Sequence, residues 1–260
     1  MRFSVLLFVF AMDAVAQQPF LTDDADVAAV RHFHLELLGQ YDRLQGTSYP
    51  VLRQSTNRFQ LTYGAWNNLE VGVDGPLIAI FNAREATSAN AFGLGDVNLQ
   101  LKYRLRKEVP ASAWPAFTIA LYVELPTGNS RNQLGSGVAD YWLNGIVQKA
   151  VRPKLTYRLN AGILFSGNTL TGAIGIRAAR GQVLTGASSL TYQARDRLLL
   201  GVEVAGALTR QSELGKAALQ SQFGGKYALT KTVGIDFAVT AGKFEGSPRL
   251  GALLGLSFDF

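Results

Sequence analysis

From Val97 to Arg106 the residues alternate without a break. Val97, Leu99, Leu101, Tyr103 and Leu105 are apolar; Asn98, Gln100, Lys102, Arg104 and Arg106 are polar or charged. Successive side chains on an extended chain point to opposite sides, so this stretch is a two-faced β-strand. The pattern recurs about a dozen times, predicting strands at 31–43, 55–64, 69–81, 93–106, 115–126, 137–149, 154–165, 183–194, 198–208, 217–229, 233–243 and 250–260. In a soluble sheet the apolar face meets a protein core. In an outer-membrane barrel it meets lipid, and the polar face lines the inside.

Three regularities favour the barrel. Strands of about 10–13 residues match the 9–11 tilted residues that cross a bilayer and exceed the usual globular length. Their connections alternate between long (44–54, 82–92, 127–136, 166–182) and tight (65–68, 150–153, 195–197, 230–232), as expected of outer loops and periplasmic turns. With both chain ends on the periplasmic side, every strand acquires a direction. Phe33, Tyr63, Tyr103, Phe117, Tyr157, Tyr192, Tyr227 and Phe258 then cluster near the periplasmic strand ends on the apolar face. Tyr41, Phe81, Tyr141 and Phe165 fall towards the opposite ends. Rings prefer the water–lipid boundary, so two aromatic girdles are expected. Strand 137–149 fits least well, because Trp142 and Ile146 share a face with Asp140, Asn144 and Gln148.

The N-terminus reads as an export signal. Arg2 precedes an apolar run from Phe3 to Met12, and Ala14-Val15-Ala16 forms a small-x-small cleavage pattern. The expected organisation is a signal peptide over 1–16, a periplasmic or plug segment over 17–30 and the barrel over 31–260, placed in the bacterial outer membrane. No later stretch reaches the roughly 18 continuous apolar residues of a membrane helix. With 48% hydrophobic and 17% charged residues the chain is lean in charge, and without Cys it offers no disulfide or thiolate chemistry. The net charge of +6 is spread along the chain with no basic run, so nucleic acid is not an expected partner.

The C-terminal "LGALLGLSFDF" places Leu250, Ala252, Leu254, Leu256, Phe258 and Phe260 on one face. It resembles the last strand of bacterial outer-membrane barrels, which implies recognition by the barrel-assembly machinery through a strand ending in Phe260. The stretches "PFLTDDADVAAVRHFHLEL", "GLGDVNLQLKYRL", "ELPTGN", "GSGVADYW", "NTLTGAIGIR" and "LLLGVEVAGAL" occur in order over most of the chain. They resemble the outer-membrane "transporter" family named for the meta-cleavage pathway of phenol degradation. That resemblance implies an outer-membrane barrel that passes small molecules.

Candidate sites lie on the polar face: His34, Glu36, Asp42, Arg58, Glu70, Asp74, Lys102, Arg104, Glu124, Asp140, Arg158 and Lys226. Lys102, Arg104 and Arg158 belong to the periplasmic half, with Glu36 and Glu70 at a depth where they can pair with them. Asp42, Asp74, Glu124 and Asp140 form an acidic outer half around Arg58. His32, His34 and Glu36 share a strand face in "HFHLE", but a metal would need a fourth group from elsewhere, so none is assigned. "GLGDVN" lacks the third glycine and following helix of a nucleotide loop. A serine hydrolase needs a Ser–His pair held by a third group, and neither His reaches the outer rim or lipid face. No G-x-S-x-G elbow is present either, so neither enzyme activity nor a cofactor is expected. The acidic Asp23, Asp24 and Asp26 form either a solvated tail or a plug facing Lys102, Arg104, Arg158 and Lys226.

The expected protein is an all-β, antiparallel up-and-down transmembrane barrel of about twelve strands surrounded by outer-membrane lipid. Twelve strands lie between side-chain-filled 8-stranded barrels and open 16-stranded porins, so any pore is narrow. The expected function is passive passage of small or hydrophobic solutes, aromatic ones among the candidates. The alternative is a closed structural or adhesion barrel using its outer loops.

Overall fold

The computed structural model describes residues 19–46, 53–81, 90–109, 112–166, 181–209, 217–244 and 246–260. The leader expected over 1–16 and most of the 166–182 loop lie outside them. The strands are β1 (Phe33–Leu44), β2 (Arg53–Trp66), β3 (Leu69–Phe81), β4 (Asn90–Leu94), β5 (Val97–Arg106), β6 (Ala116–Leu125) and β7 (Asp140–Arg152). They continue as β8 (Leu155–Ser166), β9 (Gly181–Arg195), β10 (Leu198–Thr209), β11 (Ala217–Ala228), β12 (Val233–Lys243) and β13 (Pro248–Asp259).

The sheet runs from β2 through β1 and β13 back down the chain to β3, and a further β2–β3 ladder makes it a ring. Every pairing between these strands is antiparallel. At the seam, Phe33 N–H donates to the Phe260 carbonyl at 2.7 Å and Phe260 N–H to the Phe33 carbonyl at 3.0 Å. Closure removes the exposed strand edges that lipid could not satisfy.

The predicted strand 93–106 is in fact two pieces on one track. β4 pairs with Leu77–Phe81 of β3, and β5 pairs with Leu69–Asp74 of the same strand, so twelve strands circle the barrel. Pro76 explains the break. Its carbonyl accepts Gly95 N–H at 2.8 Å, so the side of Pro76 facing β4 and β5 is the side that lacks an N–H. A Cβ on Gly95 would lie 2.6 Å from Ile78 Cδ1 and 2.7 Å from Pro76 Cγ, so a side chain there would force its neighbours across the kink to shift. Loop 126–139 closes over it: Asp96 accepts Gly128 N–H at 2.8 Å and Ser136 N–H at 2.7 Å. Leu134 of that loop is buried.

The alternation places side chains as lipid requires. Leu99, Leu101, Tyr103 and Leu105 are exposed on the outside, while Asn98, Gln100 and Lys102 are buried inside. Along the rim that carries the seam the Phe33 ring meets Tyr63 at 4.6 Å and Phe260 at 5.6 Å between centroids. Tyr41, Phe81, Tyr141 and Phe165 are exposed towards the opposite strand ends. Strand β1 begins two residues later than expected, because Arg31 has a positive φ of 65° and Val30 bridges Gly64. His32 therefore sits in that turn, with its Nδ1 3.1 Å from the Val30 carbonyl, and does not share the face of His34 and Glu36.

Candidate functional site

Residues 19–30 run inside the ring rather than trailing from it. The segment enters beside Gly64, where a Cβ would lie 2.6 Å from the Ala28 carbonyl. Ala28 N–H donates to Glu70 at 2.7 Å, and Gln148 Nε2 donates to Asp26 at 2.8 Å. Ala25 is buried against Ala116, Ala120 and Ile146, and its carbonyl accepts from Thr118 Oγ1 at 2.6 Å. The segment then crosses to the far wall. Leu21 N–H donates to Glu203 at 3.0 Å, the Thr22 N–H and hydroxyl also donate to Glu203, and Gln222 donates to the Pro19 carbonyl. The Phe20 ring lies over Gly201, where a Cβ would come within 2.7 Å of Cζ. Partners on β2, β3, β6, β7, β10 and β11 thus hold one short chain across the lumen.

Its charges are matched from the wall. Lys102 Nζ, with no solvent exposure, is 2.8 Å from Asp23 Oδ1 and 3.2 Å from Asp24 Oδ1. Tyr122 donates to the other Asp23 oxygen at 2.8 Å, and Arg104 lies 3.7 Å from Asp26. Asn160 brackets the backbone of Asp23, accepting its N–H at 2.8 Å and donating to its carbonyl at 3.1 Å. Burial pushes the Asp24 carboxyl up to about 6; Lys102 pulls it down, and Asp23 and Asp26 raise it further.

The side chains of His34, Glu36, Asp42, Arg58, Glu70, Asp74, Lys102, Arg104, Glu124, Asp140, Arg158 and Lys226 all sit at inward-facing strand positions. Glu70 stands opposite Lys102 across the β3–β5 ladder, where its charge acts on the ammonium. Lys102 turns to the acidic segment. Glu36 joins His34 at 2.9 Å, whose other ring nitrogen is 2.7 Å from Asp259. Glu70 takes the Ala28 N–H, and Arg158 Nε donates to Gln148 at 2.8 Å. In the outer half Arg58 and Asp74 lie 3.9 Å apart. The inward Trp142 and Ile146, awkward in the sequence, have partners here: Ile146 packs on Ala25, and Trp142 stacks on Tyr122 at 4.9 Å and donates to Thr185. Sequence reasoning did not single out Glu203, Tyr122 or Gln222. The apolar residues intruding on the polar face of strand 137–149 were the available signal.

Above the segment lies a cavity of about 190 Å³ floored by Phe20, Leu21 and Asp23. On one side it is polar, with Gln40, Asp42, Arg58 and Asp74. On the other it carries Tyr122 and Trp142 beside small residues of β9 to β11.

A closed ring of twelve strands, apolar and aromatic outside and polar within, crossed by its own N-terminal segment, defines a membrane-spanning barrel of the outer-membrane type. The chain belongs to the family described as "Protein of unknown function (DUF3187)", whose model matches residues 82–260. Among solved structures it is similar in fold to the COG4313 outer membrane channel from Pseudomonas putida F1. That similarity has a TM-score of 0.66 and 13% identity, covering 91% of this chain and 98% of that one. The NanC porin gives a TM-score of 0.59 at 11% identity, over 86% of this chain and 98% of that one. The KdgM porin, solved with disordered oligogalacturonate, gives 0.57 at 10%, over 87% and 99%. A search of curated proteins finds no match.

Proposed function

We propose that the protein is an outer-membrane channel for passive passage of small or hydrophobic molecules, held closed in this state by residues 19–30. The observation that carries the reading is the way the segment is held. It crosses the lumen on hydrogen bonds, ion pairs and one small alanine-lined contact, and the chain has no Cys with which to fix it. A twelve-stranded wall has room for a solute once such a segment moves. The inward charges, from Asp42, Glu124 and Asp140 above to Lys102 and Arg158 below, would then set what passes. The channel and porin titles of the similar folds support this reading, as does the motif resemblance to the phenol-degradation family, which makes small aromatic solutes candidates to test. A non-enzymatic role agrees with the channel and porin titles of the similar folds. The exposed Leu250, Leu254, Leu256 and Phe260 support an exchange with the barrel-assembly machinery through the last strand.

Planar-bilayer recording tests the proposal. The intact barrel should open rarely, and a variant lacking residues 19–30 should conduct steadily. Neutralising Asp42, Glu124 and Asp140 together in that variant should lower its cation preference. If the shortened barrel passes no ions, the closed structural barrel is the better reading. That alternative draws on the ordered outer loop 126–139, where Asn129 caps a short turn by accepting from Arg131 N–H at 3.1 Å.

A further inference from the structure

The cavity above the segment has an unequal charge balance. Three carboxylates line it: Asp23, Asp42 and Asp74. Asp23 is met by Lys102, and Asp74 by Arg58 and by Asn98, which donates at 3.1 Å. Asp42 differs. It is 1% exposed, and among the described residues its hydrogen-bond partner is Gln40, which donates to both oxygens at 3.0 Å. Opposite it on β13 stands Gly251, whose lack of a Cβ leaves the room that the carboxylate oxygen occupies. No cation of the described residues reaches it within ion-pair distance.

A second, separate observation points the same way. Asn144 also lines the cavity and is 1% exposed, yet its Oδ1 has no hydrogen-bond partner among the described residues, while its Nδ2 donates to Asn160 at 3.3 Å. A buried acceptor left without a donor is destabilising, because its lost hydration is not replaced. Among the described residues, the wall of the cavity therefore holds a carboxylate without a cation on one side and a buried amide oxygen without a donor on the other. Both call for a donor. Beside Asn144 the stacked rings of Tyr122 and Trp142 offer an aromatic platform, and ring faces attract cations as well as apolar groups.

We propose that this vestibule binds small organic cations, in which an ammonium group on an aromatic or apolar body is taken by Asp42 while the body lies against Tyr122 and Trp142. A neutral donor of the same shape would satisfy Asn144 and leave the Asp42 charge unmet; an anion would add to it. This deepens the channel reading, on which it rests, by naming a class of solute.

The test uses the full barrel in detergent, carrying Trp66→Phe and Trp114→Phe so that Trp142 is the remaining tryptophan. Emission is followed while phenethylammonium, 2-phenylethanol or phenylacetate is added. The cation should give a saturable change at concentrations at least tenfold lower than the alcohol, with phenylacetate weakest. Asp42→Asn should bring the cation to the level of the alcohol. Equal response to all three probes, or no saturable response to the cation, overturns the proposal from the unsubstituted cavity alone, whether or not the Asp42→Asn variant folds. A cation preference that survives Asp42→Asn in a folded barrel also overturns it. Conduction separates the two readings. A barrel that conducts after loss of residues 19–30 but treats the probes alike sinks this inference and leaves the channel. A barrel that selects the cation yet never conducts supports this inference and sinks the channel.

Discussion

Lys102 Nζ and Asp23 Oδ1 meet 2.8 Å apart inside the barrel wall, and Lys102 is wholly shielded from solvent. The pair joins β5 to a segment whose contacts are otherwise spread thinly around the ring. Removing one partner of a buried ion pair is destabilising by about 3–5 kcal/mol, because the other charge remains without compensation. Lys102→Met should therefore release the segment. In bilayers its open probability should rise by at least tenfold over the intact barrel, and a cysteine introduced at Thr22 should become reactive towards a water-soluble maleimide.

Ala25 tests the apolar contact of the same segment. It is fully buried against Ala116, Ala120 and Ile146, with no room beside it. Overpacking a filled contact costs about 1–3 kcal/mol. Ala25→Leu should weaken docking with the ring intact, raising conductance without changing heat-modifiable migration on gels. A loss of barrel migration would place the effect in the wall instead.

Asp24 makes docking depend on pH, and the sign follows from linkage. Its carboxyl is pushed up to about 6 in the docked state, against an ordinary 3.8 once released. Below that released value both states hold the proton and docking is unopposed by this group. As pH rises from 3.8 to about 6 the released state gives its proton up while the docked state keeps it, so docking weakens by up to about a hundredfold, of which about tenfold is lost above pH 5. Asp23, Asp26, Lys102 and Arg158 surround it and shape the slope. Open probability should thus be lower at pH 5 than at pH 7.5, and Asp24→Asn should flatten the difference.

Leu99 and Gln100 are neighbours in β5 that face opposite solvents. Leu99 is exposed to lipid between the two aromatic girdles; Gln100 is buried inside and donates to Glu70 at 3.4 Å. Arginine near the middle of the lipid face is destabilising by about 2–4 kcal/mol. Leu99→Arg should lower folding stability into phospholipid vesicles by that amount, read from urea titrations. Gln100→Arg, set beside a carboxylate, should cost less. Equal losses would count against the assignment of faces.

The ring was legible in the chain because lipid imposes its demand on every second residue. Val97 to Arg106 announces both faces, and Tyr103 and Tyr141 mark the two boundaries. The break at Gly95 was not visible there, since it depends on Pro76 across the ladder rather than on the strand that breaks. The fate of Asp23, Asp24 and Asp26 was likewise open between tail and plug. A segment without periodicity carries no record of its partners, and these lie on strands as distant as β3 and β11. What the chain did hold was the complement: Ile146 and Trp142, misplaced on a polar face until Ala25 and Tyr122 supply their neighbours.

The reach of residues 19–30 also orders events in time. Their hydrogen-bond partners stand 42 residues away at Glu70 and 203 away at Gln222. Contacts that span such intervals become available only when the intervening chain is already arranged, because loop closure is paid before the contact rewards it. Glu203 and Gln222 face a common interior only after β10 and β11 have joined the ring. The first residues to be synthesised among those described are therefore the last to settle. Each new molecule passes through a stage in which the wall is built and residues 19–30 do not yet cross it.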